Sequence, residues 1–469
     1  MNPLRDPNIL ARILLPIILV SVLGLAPRSR RASTALLQAS TALNAGNPHA
    51  SARWLAQAAA ELPRQPGLWE MAGEQAYQAS EYHQALVYFG QAQNLSIQGQ
   101  LTYAEVYWQT GQTDAAVRLW ERAANQNPNP EIYTRLAQAH RQLGDFPSAV
   151  SNLRLLISLD LTNAAAYYQL GLLLSVMDPS AAAANLSQAA EIDPQYSQPA
   201  RSLQRALRSA TLEEQPAYLF TRIGQALSSL DAWDLALAAF EQAVGYDPDY
   251  AEAWAYLGEA RQRMGVEGFA ALETALALNP VSLSANIFMS TYWRRQGDPP
   301  MAIDYMLTAA QLAPNNPALQ ADLGALYLAA GDLNAALTHY QRAVELAPNT
   351  ATYGKLLVAF CVENRVFLEE IALPAALDAV RIAPADPEAL LLLGRVYFLL
   401  DDLSAAASLM QQALQVAPDY APTHLHLALY YLAVDDPSQA HQHLALVVDL
   451  DPQSELAQVA RRLLAQYFP

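Results

Sequence analysis

One short segment recurs along this chain with a constant layout. Residues 331–348 are "GDLNAALTHYQRAVELAP", residues 111–128 are "GQTDAAVRLWERAANQNP", and residues 401–418 are "DDLSAAASLMQQALQVAP". Each copy opens on a small or polar residue, carries Ala near its middle and closes on Pro. The closing prolines recur at one constant interval in two series, Pro280, Pro314 and Pro348, then Pro384, Pro418 and Pro452. A segment that recurs at a constant interval along the sequence predicts stacked copies of one small unit instead of a globule with a single core.

A second helical pattern precedes each of these segments. In residues 317–333, Leu319, Leu323, Leu326 and Tyr327 fall on one face of a helix. Each unit is therefore predicted to be two helices joined by a tight turn. The turn falls at Gly331, Gly297, Gly111 or the equivalent Asp in other copies, where the chain must adopt a positive φ.

Composition excludes several classes of protein. Apolar residues make up 53% of the chain and charged residues 15%, which is too apolar for a disordered chain. The formal charge of −17 argues against nucleic-acid binding, which needs a basic surface. With Cys361 as the single cysteine, the chain can form no internal disulfide. We find no phosphate-binding loop, nucleophile elbow or HExxH pair, so no catalytic, cofactor or metal residue is predicted.

The repeated unit resembles the tetratricopeptide repeat, a helix–turn–helix whose signature is W-x2-L-G-x2-Y, then A-x3-F, A and P. Residues 323–348 and 220–248 match this signature best, and Trp254 and Gly258 match its first helix in the next copy. The resemblance extends over residues 32–452, or about twelve units, and implies an all-α, right-handed solenoid. The structural positions that we assign to the repeat are Gly224, Phe240, Trp254, Gly258, Gly324, Tyr327, Tyr340, Gly394 and Tyr397.

Two irregular segments divide the repeats. Residues 32–196 form a first array, residues 197–216 an extra or capping helix and junction, and residues 217–452 a second array, with the division near residue 205. Within the irregular unit 349–384 of the second array, the segment 364–384 is three residues longer than its counterparts and contains Pro374, so we expect a bulge or kink there. Residues 453–469 are predicted to form a C-terminal capping helix.

The N-terminal segment, residues 1–31, differs from the rest. Residues 13–26, "ILLPIILVSVLGLA", are uninterrupted by charge and are flanked by arginines on both sides. Counted from Ile9, the segment 9–26 is long enough to span a bilayer if Arg12 extends to the headgroups. We predict an uncleaved membrane anchor, with a cleaved signal peptide and a buried helix as alternatives. Its orientation is left open, because arginines lie at both ends.

The resemblance implies that the first helices of the units line a concave surface that holds a partner's peptide or helix. From residue 317 onward this lining is predicted to be apolar, which suits an amphipathic helix. The alternative is that this apolar lining packs against itself and binds no partner. The predicted partner-groove residues are Leu328, Leu391, Phe398, Leu425, Leu429 and Leu432, with a basic spot at Arg294 and Arg295.

Two polar clusters each leave two interpretations open. His424 and His441 could form a metal site on antiparallel helices, but no third ligand is assured, and scattered polar histidines are the simpler interpretation. Arg201, Arg205 and Arg208 share one face of the junction helix. That face is either simply solvated or a strip that binds an anionic partner.

The sequence therefore predicts a non-enzymatic scaffold, tethered to a membrane, that binds other proteins. It resembles bacterial anchored tetratricopeptide proteins that organise envelope, polysaccharide or secretion assemblies, which would place it at the inner membrane. The alternative is a secreted or periplasmic adaptor or chaperone released by signal cleavage. An enzyme with an attached repeat domain is disfavoured, because the repeats leave no segment large enough for a catalytic domain. The oligomeric state is left open.

Overall fold

The computed structural model describes residues 30–65, 67–209 and 214–468, and every long element in those ranges is an α-helix. The chain divides into two compact units, residues 1–243 and 244–469. The helices of the first unit are α1 (Arg30–Asn44), α2 (Pro48–Glu61), α3 (Gly67–Gln78), α4 (Tyr82–Gln91), α5 (Ile97–Gln109), α6 (Thr113–Gln126), α7 (Pro130–Gln142), α8 (Phe146–Leu159), α9 (Ala164–Met177), α10 (Pro179–Ile192), α11 (Ser197–Leu207), α12 (Pro216–Ser229) and α13 (Trp233–Tyr246), whose last residues belong to the second unit.

The second unit continues the same plan. Its helices are α14 (Ala251–Arg263), α15 (Phe269–Leu278), α16 (Leu283–Arg295), α17 (Pro299–Leu312), α18 (Pro317–Ala329), α19 (Leu333–Leu346), α20 (Ala351–Asn364), α21 (Leu373–Ile382), α22 (Pro387–Leu399), α23 (Leu403–Val416), α24 (Ala421–Ala433), α25 (Pro437–Leu450) and α26 (Glu455–Tyr467). Apart from α11 and α26, the described helices form twelve consecutive pairs, as the sequence predicted.

Local chemistry explains where these helices begin. At α7, the Asn129 side chain accepts a hydrogen bond from the backbone N–H of Ile132 at 3.1 Å, and Pro130 follows in the first turn. The same arrangement of a polar cap followed by proline begins α22, α25 and several other helices. Such a cap satisfies a backbone donor that the helix itself leaves unpaired, and proline loses nothing at this position.

The turns between paired helices adopt the predicted conformation. Gly331, Gly297 and Gly111 have φ values of 82°, 75° and 77°. Where glycine is missing, Asp231 and Asp401 take its place at φ values of 59° and 67°. Aspartate is among the few residues with a side chain that tolerate this left-handed region. The prediction that these turns need positive φ is therefore confirmed.

The two helices of a pair approach most closely at one position of the first helix. A Cβ atom added to Gly224 would lie 2.4 Å from a ring carbon of Phe240 on the second helix. At Gly324 the same construction meets the Tyr340 ring at 2.9 Å. Gly258 and Gly394 likewise face Leu272 and Met410. Glycine is favoured at these positions because an added Cβ would come closer to the opposing side chain than ordinary van der Waals contact allows.

The other assigned repeat positions also contact neighbouring elements. Trp254 is half-buried and donates its indole N–H to the backbone carbonyl of Pro248 at 2.7 Å. Tyr327 stacks on His339 with the ring centres 5.2 Å apart and is half-buried, whereas Tyr340 is 6% exposed. Tyr397 packs against the core formed around Phe360 and Val396. Several such clusters follow one another along each unit, so the apolar interior is shared between adjacent pairs.

The irregular unit absorbs its extra residues immediately before Pro374. A single π-helical turn, Leu368–Ala372, runs directly into α21. Arg365 and Phe367 on its N-terminal side both have positive φ, at 54° and 53°. The expected bulge is therefore present, but it precedes the proline. Pro374 itself lies in the first turn of α21, where its missing N–H costs nothing.

Helix α11 does not separate the pairs on either side of it. It packs on α10 and α12, while α9 also contacts α12 directly. Two further contacts hold α13 to earlier pairs. Arg141 on α7 forms a two-pronged ion pair with Asp234, at 2.7 and 2.8 Å, and Gln242 donates to the backbone carbonyl of Val176 at 3.0 Å. The first compact unit accordingly extends to Ala243, well beyond the predicted division near residue 205.

Both ends of the chain were assigned special roles by the sequence. Helix α26 packs on α24 and α25, with Ala457 and Ala460 buried, as a terminal helix covering the last pair would. Among the described residues, no helix has the length and apolar character needed to cross a bilayer. The predicted anchor, residues 9–26, lies outside the described residues.

Glu74 on α3 is half-buried without an ion-pair partner among the described residues. Burial, and then the negative charge of Glu70, raise the pKa of the Glu74 carboxyl to about 7. Glu70 itself is held by the backbone N–H and the hydroxyl of Ser96. The fold therefore favours the neutral form of Glu74.

Gly224→Ala tests the close approach within a pair. We expect it to lower the free energy of unfolding by about 1–3 kcal/mol, because Phe240 must leave its position. Gly245→Ala is the matched control, since Gly245 lies in α13 and an added Cβ meets nothing within 4 Å. The control should be neutral or up to about 1 kcal/mol more stable. Equal urea midpoints for the two variants would contradict this account.

Glu74→Gln tests the buried carboxyl. Between pH 4.5 and about 7 the unfolded chain releases this proton while the folded chain keeps it, so wild-type stability falls as the pH rises through that window. We expect the variant to be more stable than wild type at pH 8, by about 1–2 kcal/mol after allowance for solvent screening, and equally stable at pH 4. Urea denaturation at both pH values measures the difference, with the exposed Glu191→Gln as control. A difference that does not change with pH would contradict the prediction.

Candidate partner-binding surface on the first helices

The first helices of successive pairs lie next to one another within the second unit. Direct contacts join α14 to α16, α18 to α20, α20 to α22 and α22 to α24. We call the surface that these helices share the first-helix face. The glycine side of a first helix such as α14, α18 or α22 is turned toward its own second helix, so the residues on its other sides are left to form this face.

The predicted apolar residues of this face fall into two groups. Leu328, Phe398, Leu429 and Leu432 are half-buried and keep apolar surface in contact with solvent. Leu391 and Leu425 are 4% and 6% exposed, because they belong to the packed interior of the unit. Leu391 and Leu425 therefore have almost no surface to offer a partner, and we remove them from the predicted partner-groove residues.

Aromatic side chains extend the apolar part. The rings of Phe398 on α22 and Tyr430 on α24 meet edge to face with their centres 6.5 Å apart. Tyr430 also meets Tyr431, which stacks on His443 at 5.5 Å. Tyr430 is not among the residues predicted from the sequence for this face. Its position directly after Leu429 on a predicted first helix was the signal that could have identified it.

The predicted basic spot is only partly free. Arg295 is bound to the nearly buried carboxylate of Glu259 through two nitrogens, at 2.8 and 2.9 Å. Arg294 is exposed and has no hydrogen bond to a described residue. Burial raises the pKa of Asp322, and the charge of Arg294 opposes that rise. Arg295 therefore ties α14 to α16, while Arg294 remains available for contacts.

A second charged link lies between α20 and α22. The Lys355 ammonium contacts Asp386 at 2.7 Å and Glu388 at 2.5 Å. Burial lowers the pKa of Lys355, but the two carboxylates outweigh it, so the pKa is raised overall. The lysine therefore stays charged and holds the start of α22 against α20. Sequence reasoning missed this link, because its partners lie 31 and 33 residues further along the chain.

A third group combines Glu363, Arg395 and His426 on three successive first helices. Burial lowers the pKa of Arg395, and the charge of Glu363 opposes that effect. Burial and the neighbouring Arg395 lower the pKa of His426 to about 3. His426 is thus neutral at physiological pH, and Arg395 carries the positive charge of the group.

The first-helix face of the first unit is polar. Arg135 on α7 forms an ion pair with Glu105 on α5. Arg141 on α7 reaches Gln169 on α9 at 2.7 Å in addition to Asp234. These links fix neighbouring first helices, so this part of the chain offers a hydrogen-bonding surface in place of an apolar one.

The histidines of the last pair are arranged differently from the proposed metal pair. His424 Nδ1 lies 2.8 Å from His443 Nδ1, and its Nε2 donates to the carbonyl of Pro418 at 2.8 Å. His441 is exposed and lies against Phe468 instead. The ring nitrogens of His424 are therefore already engaged, and His441 is not beside it. Among the described residues, no group of three or more metal-binding side chains is found.

Comparisons with known proteins agree with the helix pairs. Models of the tetratricopeptide repeat match residues 97–139, 130–163, 221–262, 294–359 and 370–421. The search of curated proteins gave no match.

The matches among solved structures include the following three. The Cut9–Hcn1 hetero-tetramer of the APC/C is 17% identical over 97% of this chain and 99% of that chain, with a TM-score of 0.39. MamA from Desulfovibrio magneticus RS-1 is 26% identical over 37% of this chain and 97% of that chain, with a TM-score of 0.32. Yeast Tom70 is 13% identical over 79% of this chain and 95% of that chain, with a TM-score of 0.36. On the family matches, this chain carries tetratricopeptide repeats in both of its compact units.

Proposed function

We propose that the protein is a non-enzymatic scaffold that holds an amphipathic helix of a partner protein on the first-helix face of its second unit. The observation that carries this proposal is the set of half-buried apolar side chains on that face, Leu328, Phe398, Leu429 and Leu432. A helix that lays its own apolar side on them would remove their remaining surface from water, at roughly 25 cal/mol per Å².

The charged links between first helices support a rigid binding surface. Lys355 joins α20 to α22, and Arg295 joins α14 to α16. Side chains that are already fixed lose little further freedom when a partner binds, which favours affinity. The exposed Arg294 would then meet an acidic residue at the edge of the bound helix.

A membrane tether is the second part of the proposal. It rests on the apolar segment 13–26 and the flanking arginines. An anchored repeat array would keep its partners close to a bilayer, as in an envelope, polysaccharide or secretion assembly. The alternative is an exported adaptor or chaperone that loses this segment by signal cleavage and works without a tether.

Leu328→Glu combined with Leu429→Glu tests the proposed groove in the full-length chain. We expect capture of specific partners to fall at least about tenfold, because two carboxylates would be desolvated against an apolar helix. Quantitative affinity capture from the native host compares the variant with wild type.

The matched control is Leu312→Glu combined with Val416→Glu. These residues are 40% and 45% exposed at the ends of second helices, so the same change in charge is placed away from the first-helix face. The control should retain the partners. Equal recovery of every bound protein by the two double variants would remove the groove from consideration.

Val20→Arg tests the tether. A charge at the centre of a spanning helix costs about 2.5–3.5 kcal/mol, so we expect the protein to move from the membrane fraction to the soluble fraction. Val20→Leu should remain in the membrane fraction. N-terminal sequencing of the wild-type protein separates the two forms: a retained start supports the anchor, and a mature protein that begins near Pro27 supports the exported adaptor.

A further inference from the structure

Helix α11 and its C-cap residue, Arg208, present a strip of three arginines that repeat packing does not explain. Arg201, Arg205 and Arg208 are all exposed, while Ala200, Leu203 and Ala206 on the opposite side are at most 3% exposed. The buried side seats α11 on α10 and α12, and Gln204 adds a hydrogen bond to Ser187 on α10 at 3.0 Å. The orientation of the helix is therefore fixed, with the arginines directed away from the protein.

These arginines also lack the partners that arginines have elsewhere in the chain. Arg135, Arg141, Arg295 and Arg342 each form an ion pair with a carboxylate. Helix α11 contains no acidic residue. Within the ranges that the structure describes, no carboxylate lies within ion-pair distance of Arg201, Arg205 or Arg208. Toward the described residues, the three guanidinium groups thus keep their donors open to a ligand.

Their spacing defines the shape of a matching ligand. On an α-helix, residues 201, 205 and 208 lie within an arc of about 60°, at steps of about 6 and about 4.5 Å along the axis. Carboxylates four and three residues apart on a second helix have the same spacing. Guanidinium binds a carboxylate through two parallel hydrogen bonds, which gives such a pairing directional preference.

We propose that this strip binds an acidic helical segment of a partner protein. Charge is complementary at short range, where a Debye length of about 8 Å limits the influence of the rest of the protein. The other anionic surfaces are less suitable. An anionic bilayer or a nucleic acid extends beyond the strip and also meets the rest of this chain, whose net charge is −17, whereas a short helix meets only the strip. In addition, the apolar side of α11 is buried in the protein and cannot enter a bilayer.

The position of α11 adds support of a different kind. It is an additional helix between pairs that already contact each other through α9 and α12. Insertions between repeats often lie on a binding face, since stacking does not require them. The strip is separate from the first-helix face of the second unit, so this inference does not depend on the proposed groove.

The test uses the full-length chain and a short fluorescent helical peptide with glutamates four and three residues apart. Binding is measured by fluorescence anisotropy at two salt concentrations. Arg201→Gln, Arg205→Gln and Arg208→Gln combined should weaken binding about tenfold or more, and wild-type binding should weaken as salt is raised. Circular dichroism verifies that the variant retains its helices.

The matched control combines Arg118→Gln, Arg122→Gln and Arg154→Gln. These three arginines are exposed on α6 and α8 of the same unit, so the net charge changes equally. The control should bind the peptide as wild type does. Equal weakening in both triple variants, or unchanged binding in the α11 variant, would overturn the proposal. Phosphatidylserine vesicles provide the remaining arm: binding to vesicles, lost in the α11 variant while peptide binding is absent, would assign the strip to lipid and also overturn it.

Discussion

The structure depends on one recurrent contact, the close approach of two helices at the point where the first lacks a Cβ atom. Phe240 fills the space beside Gly224, and Tyr340 fills the space beside Gly324. Because the ring occupies the position that a side chain would need, the crossing point of the pair is fixed. A pair with a fixed crossing point presents an apolar surface of the same shape to each neighbouring pair. Surfaces of the same shape can pack on one another repeatedly along the chain.

Stacking also gives the first and second helices of a pair different roles. The glycine side of the first helix is used for the pair, so its other side is left for contacts between first helices and for ligands. In the second unit those contacts are charged, as at Lys355 and Arg295, and the ion pairs bridge helices that are distant in the sequence. In the proposed groove, rigid spacing of the first helices would let isolated side chains such as Leu328 and Leu429 act as one surface.

The sequence was a good guide wherever the period of the repeat applied. It located the helix pairs and the glycine and aspartate turns, because each of these depends only on residues within one unit. It was less successful with Leu391 and Leu425, because burial depends on how adjacent pairs approach, which a single unit does not determine. The pairing of His424 with His443 was missed for a related reason, since both ring orientations are set by the carbonyl of Pro418 and by Tyr431.

The link from Arg141 to Asp234 joins residues 93 positions apart in a chain whose other contacts run mostly from each pair to the next. A stack held only by contacts between adjacent helix pairs can unfold from its ends, one pair at a time. The ion pair between Arg141 and Asp234 spans several helix pairs and changes this, because the intervening helices cannot separate while it remains formed. The segment from α7 to α13 should therefore open as a block under heat or mechanical load, which makes the C-terminal half of the first unit one cooperative segment.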